Sequence, residues 1–143
     1  MILVDVNLLI YASNPAAREH EAARAWLDAQ LGGMGRVGLP WQSTLGFARI
    51  ATNPRIFPRA VTMEAAWRQI EFWLSRRNVW IPVPGPDHQA ILGELLRNLG
   101  GSSDLVSDAH LAALAIEHGL KLCSCDGDFA RFPGLRWENP LRF

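Results

Sequence analysis

Three aspartates stand where a sequence can assemble chemistry. Asp5 follows the apolar run at 2–4, and Asp126 comes just after the apolar run LKLCS at 120–124. Asp108 lies near the start of an Ala- and Leu-rich segment leading directly into that second run. If both runs are parallel strands, their carboxyl ends lie on one edge of a sheet, where ligands of open α/β folds collect. Carboxylates about 5 Å apart repel by roughly 3 kcal/mol per pair at an effective dielectric near 20. A hard divalent cation relieves that repulsion while keeping the charges in use. All-oxygen ligation suits Mg²⁺, with Mn²⁺ as its substitute, rather than zinc. Such ions activate phosphoryl oxygens and water, so hydrolysis of a phosphodiester is the chemistry this set suits. Singly, each acid has a plainer role: Asp5 and Asp126 in turns, Asp108 as a favourable charge in a first helical turn.

The elements that must position these acids alternate in type. A strand at the N-terminus ends near Asp5, and Asn14-Pro15 offers a cap for a helix through Ala22, Ala23, Trp26 and Leu27 that Gly32-Gly33 stops. A short strand at 36–39 precedes a helix at 41–52, and Thr62 caps a further helix carrying Ala66, Ile70, Trp73 and Leu74. VWIPV at 79–83 reads as a third strand, followed by helices at 87–99 and about 106–118, the latter closed by Gly119. LKLCS and then WEN at 137–139 supply the last strands. This alternation predicts an α/β sandwich with a mainly parallel central sheet.

The 143 residues suit one compact domain, 1–143, with 49% hydrophobic residues and no compositional mark of disorder. The apolar N-terminal stretch is interrupted by Asp5 and has no basic leader, and no run approaches the length of a membrane span. The chain therefore reads as soluble and cytoplasmic, with no membrane partner. Formal net charge is zero, so global charge does not argue for nucleic acid. All but one of the 14 basic residues are arginine, the exception being Lys121; arginine forks suit phosphate, although high-GC coding produces the same bias. Cys123 and Cys125, two apart on one strand face, sit at the edge of disulfide reach and read as reduced structural thiols. Trp26, Trp67 and Trp73 fall on helices, where core packing is the usual role.

Four segments carry a resemblance: DVNLLIYA at 5–12, FARIATNPRIF at 47–57, SDAHLAALAIEHG at 107–119 and CSCDGDFARFPGLRWENP at 123–140. In order and spacing they resemble PIN-domain ribonucleases, specifically the VapC toxins of VapBC toxin–antitoxin pairs. The resemblance implies a PIN-like α/β/α fold, RNA hydrolysis at a Mg²⁺ or Mn²⁺ centre, homodimers, and a VapB-like antitoxin that covers a groove near the acids. It aligns Asp5, Asp108 and Asp126 with metal-binding acids, and Asn7 with a polar partner of the first. Ser124 matches the small hydroxyl residue before the last acid, and Asp128 either binds metal through water or caps the helix DFARF. The sequence departs from the family at Gly46, where many members carry a glutamate. Asp104 is the candidate replacement, sharing a helix face with Asp108 if the helix extends back that far, and otherwise a cap or loop residue. Arg49 on the same helix as Gly46 reaches either a phosphate or a carboxylate, or makes a structural ion pair. Loss of the acid at 46 leaves a rival reading, a PIN-fold module that binds RNA or antitoxin with weak or absent catalysis. A phosphate enzyme of the haloacid dehalogenase or receiver kind ranks last, since Lys121 begins its strand and points away from the acid edge.

Overall fold

The structure is a computed structural model describing residues 1–142, so the final position of the expected 1–143 span lies outside the described residues. Five short strands form the central sheet: β1 (Ile2–Val4), β2 (Val37–Gly38), β3 (Val79–Trp80), β4 (Lys121–Cys123) and β5 (Trp137–Glu138). Their spatial order is β3-β2-β1-β4-β5, and every adjacent pair is parallel. Six helices accompany them: α1 (Val6–Ser13), α2 (His20–Leu31), α3 (Trp41–Ala51), α4 (Met63–Leu74), α5 (His88–Arg97) and α6 (Val106–His118). The α/β class and the parallel sheet expected from the sequence are both present.

Period-two alternation along the strands divides the core into two layers. Val4 and Cys123 point to one face, where they pack with Leu8, Leu9, Leu27, Phe47, Ile70 and Trp73 of α1 to α4. Leu3 and Leu122 point to the other, against Leu95 of α5 and Ala109, Leu111 and Leu114 of α6. The chain first winds outward from β1 through β2 to β3, then returns across the sheet to β4 on the other side of β1. The direction of winding thus reverses between β1 and β4. At such a reversal the loops leaving the two strands diverge, opening a crevice at their carboxyl ends.

Local signals explain most boundaries. Thr62 caps α4 by accepting from Ala65 N at 3.1 Å. Gly119 ends α6 in the left-handed region, with φ of 67°, which a glycine adopts without a Cβ clash. Ala109, Ala112, Ala113 and Ala115 are buried, so α6 lies close on the sheet with its small residues inward.

Three expectations change, and one helix is new. NLLIYA is a helix, α1, that begins immediately after β1, with Asp5 as its cap. Asn14 consequently closes α1 and accepts from Ala16 N at 3.1 Å, and the following helix starts only at His20. β3 stops at Trp80, ahead of Pro82, so the run at 79–83 is mostly not strand. Trp73 is buried and Trp26 packs on the same core, but Trp67 is 41% exposed. Both cysteines are free thiols, and burial pushes Cys123 up to about 12. No helix among the described residues is long and apolar enough to cross a membrane.

Candidate active site

The crevice between β1 and β4 receives the acids. Asp5 leaves β1 with its backbone N still bonded to Cys123 O at 3.0 Å, and its Oδ1 accepts from Val6 N at 2.8 Å. The strand-to-helix junction therefore fixes the Asp5 carboxylate at the sheet edge. Its Oδ2 accepts from Ser124 Oγ at 2.7 Å. Ser124 is fully buried just beyond β4, and its hydroxyl also accepts from Asn7 Nδ2 and from Asp126 N, both at 3.0 Å. One donor and two acceptor positions are thereby all engaged, so the hydroxyl cannot turn away. Asn7 also accepts from Cys125 N at 3.2 Å, tying α1 to the loop that carries Asp126. Trp137 Nε1 on β5 donates to Ser124 O at 3.0 Å and braces the same loop from the other side.

Asp108 sits in the first turn of α6. Gln42 Nε2 of α3 donates to Ser107 O at 3.1 Å, linking the starts of these two helices. Asp126 caps a 3-10 helix, Gly127–Arg131, accepting from Asp128 N at 2.9 Å. One carboxylate oxygen each from Asp108, Asp126 and Asp128 lies within 4.8 Å of the others. The capping role considered for Asp128 thus belongs to Asp126, and Asp128 turns its carboxylate toward the cluster instead. Asp5 stands beside the trio, more deeply placed and held by its own hydrogen bonds.

Electrostatics records the crowding. Asp108 is pushed up to about 6 by burial first, then by the charges of Asp126, Asp5, Asp128 and Asp104. Burial raises Asp5 as well; the Ser124 and Val6 bonds oppose that, and Asp126 adds to it. None of the five acids forms an ion pair with a basic side chain among the described residues. A set of hard oxygen donors, converging without a positive partner, fits a divalent cation better than it fits any internal counter-charge.

The remaining candidates separate. Asp104 lies exposed in a 3-10 turn, Ser103–Leu105, that runs into α6; its charge adds to the upward push on Asp108, but it makes no capping hydrogen bond. A Cβ added to Gly46 would approach Val6 Cγ2 to 3.1 Å, so α3 passes close over the first residue of α1 at the corner where an acid is absent. Arg49 is exposed, and no ion pair or hydrogen bond engages its side chain among the described residues, which removes the structural ion pair as its role. Sequence reasoning overlooked Trp137 and Gln42 as supports. It also overlooked Asp5 as a helix cap, although an aspartate just ahead of an apolar helical run is a legible cap signal.

The sheet order, the reversal between β1 and β4 and the acids gathered there define an α/β domain with a carboxylate cluster at the carboxyl edge of its sheet. The PIN domain family model matches residues 2–135, and the chain belongs to that family. It is 43% identical to Ribonuclease VapC37 of Mycobacterium tuberculosis over 98% of this chain and 97% of that protein. Among solved structures it resembles VapBC2 from Rickettsia felis, bound to a promoter DNA fragment (TM-score 0.67, 19% identity, 97% of this chain and 98% of that one). It also resembles Mycobacterium tuberculosis VapC20, a sarcin-ricin loop cleaving toxin (TM-score 0.67, 19% identity, 95% and 99% covered).

Proposed function

We propose that this chain, as a single domain over 1–143, is a metal-dependent endoribonuclease toxin of the VapC kind that acts in the cytoplasm. The observation that carries the proposal is the convergence of Asp108, Asp126 and Asp128, with Asp5 beside them, in the crevice between β1 and β4 and without an ion-pair partner. The full-length relationship to a protein named ribonuclease supports RNA as the substrate. Asp5, Asp108 and Asp126 would hold Mg²⁺ or Mn²⁺, with Asp128 at the rim. The chemistry such an ion supplies when bound is Lewis-acid activation at a phosphoryl oxygen.

The chain's own residues provide the positioning. Ser124 holds the Asp5 carboxylate through a short hydrogen bond and keeps Asp126 N in place through the same oxygen. Asn7 accepts from the Cys125 backbone and so ties α1 to the loop that carries Asp126. Arg49 is an unengaged cation on α3, suited to a substrate phosphate. Exposed Trp41 and Leu45 on α3 and Val106 at the start of α6 flank the linked helix ends. That apolar margin supports a homodimer or a VapB-like antitoxin, whose basic side chain would neutralise the acids as an inhibitor does.

Asp5→Asn, Asp126→Asn and Asp104→Asn compared with wild type on structured RNA test the reading, each with Mg²⁺, Mn²⁺ or EDTA. Wild-type cleavage is expected with either ion and none in EDTA; Asp5→Asn and Asp126→Asn lose roughly 10²–10³-fold or more. A partial loss in Asp104→Asn would assign it the corner that Gly46 leaves open. Cleavage persisting in EDTA, or in Asp126→Asn, would overturn the mechanism. The rival reading, a weak or inactive binding module, draws on Gly46 and predicts RNA or antitoxin binding with no cleavage, even in Mn²⁺.

A further inference from the structure

At the opposite end of the sheet lies a cleft of about 740 Å³, open to solvent, whose charged lining residues are Arg36, Arg76 and Arg77. Arg36 immediately precedes β2, and Arg76 and Arg77 precede β3, so the three converge at the amino ends of two paired strands. The cleft holds no carboxylate, and none of the three arginines pairs with an acid among the described residues. Aromatic faces hold two of them instead. The Arg36 guanidinium lies 4.5 Å from the centre of the Trp80 ring, and that of Arg76 lies 5.5 Å from Phe72. Stacking of this kind fixes a guanidinium while leaving its N–H donors free for oxygen acceptors.

The cleft is built rather than loose. Asn78 Nδ2 donates to Gln30 O at 2.8 Å and to Gly35 O at 2.7 Å, which clamps the Gly32–Gly35 turn against the α4–β3 connection. Attraction to the carboxyl end of α4 accounts for basic residues just beyond Ser75. It does not account for Arg36, which arrives from a different connection and is stacked in place.

We propose that this cleft binds the phosphate backbone of RNA, as a docking site separate from the acid cluster. Identifying the ligand as RNA rests on the ribonuclease reading; the site itself does not. Three forked donors, with Arg36 held on the Trp80 face inside the cleft, match the regularly repeated phosphates of a nucleic-acid backbone, each with two non-bridging oxygens, better than the irregularly spaced carboxylates of an acidic protein segment. Register places Arg36 level with Met1, four residues short of Asp5 along the strand direction. At about 3.3 Å per residue the two levels are roughly 13 Å apart, a span that one folded RNA covers while a dinucleotide does not. The site would therefore act on long substrates and leave short ones untouched.

Binding of a labelled RNA hairpin is measured by fluorescence anisotropy in EDTA, so that no cleavage intervenes, across about 50–200 mM salt. Reversing Arg36, Arg76 and Arg77 together to glutamate is expected to weaken the hairpin at least about tenfold. The slope of log affinity against log salt should become shallower by about 2. Reversing Arg18, Arg24 and Arg68, each within 3.9 Å of an acid and outside the cleft, controls for net charge. Cleavage of a dinucleotide should keep its rate in the cleft variant while cleavage of the hairpin slows. Wild-type hairpin affinity in the cleft variant, or an equal loss in the control, would overturn the proposal. So would displacement of the hairpin by inorganic phosphate or a mononucleotide, or equally well by polyglutamate, since these mark a small-anion pocket or an acidic partner. If neither RNA is cut in any metal, the ribonuclease reading fails while the binding comparison still decides the cleft.

Discussion

Asp108 shows what placing several acids together costs a fold. Its ordinary value of 3.8 rises to about 6, with burial as the first cause and neighbouring acids as the next. The folded protein thus binds this proton more tightly than the unfolded chain does. The sign follows: the penalty is absent below about 3.8, grows as pH climbs toward 6, and stays constant above. Asp108→Asn should therefore stabilise the metal-free protein at pH 7 and leave it unchanged below pH 4. The gain is on the order of 1 kcal/mol after discounting for solvent screening, or a few degrees in Tm by thermal melting. Adding Mg²⁺ or Mn²⁺ should raise Tm of the wild type more at pH 7 than at pH 5, where protons compete for the same oxygens. Equal metal shifts at both pH values would mean that the cluster does not hold the ion.

At the scale of elements, the strands are too short to position anything alone, and the junctions do that work. Asp5 ends β1 and caps α1 in a single residue, so the direction of its carboxylate is set by two elements at once. The close pass of α3 over Val6 at Gly46 leaves little room for a longer side chain without movement of α1. Away from the site, the cap of α4 is an ordinary local contribution. Thr62→Ala removes the acceptor for Ala65 N and should cost about 1 kcal/mol. Urea denaturation should show a lower midpoint with an unchanged slope. RNA cleavage at a temperature where the variant stays folded should be unaffected, because Thr62 lies at the exposed start of α4 and touches none of the acids.

For the whole molecule, the sheet serves as a divider and a spacer. Its faces anchor two separate apolar layers, and Leu122 on the interior strand β4 is fully buried in one of them. Leu122→Ala should lose about 2–5 kcal/mol, a large share of the 5–15 kcal/mol that small domains possess. Calorimetry should show a marked fall in Tm, and activity at a temperature where the variant stays folded should survive. The two ends of the sheet differ in charge: acids gather at the carboxyl ends of β1 and β4, arginines at the amino ends of β2 and β3. A net charge of zero conceals this division.

The alternation of elements, the parallel sheet and the candidates Asp5, Asp108 and Asp126 were legible in the sequence, because apolar periodicity and strand-end position are local properties. It also pointed to Ser124 and Asn7 through the resemblance. Which carboxylates converge was settled by packing: Asp108, Asp126 and the exposed Asp128 bring oxygens together, while Asp5 rests on Ser124. That depends on how α6 and the loop after β4 pack across the sheet, which no local pattern encodes. The arginine cleft lay equally out of sight, since Arg36 and Arg76 are 40 positions apart in the chain and meet only through the pairing of β2 with β3. The opening residues show both kinds of information in one place: Asp5 is legible as an acid at a strand end, and its cap of α1 fixes the direction of that acid because the helix starts at the next residue.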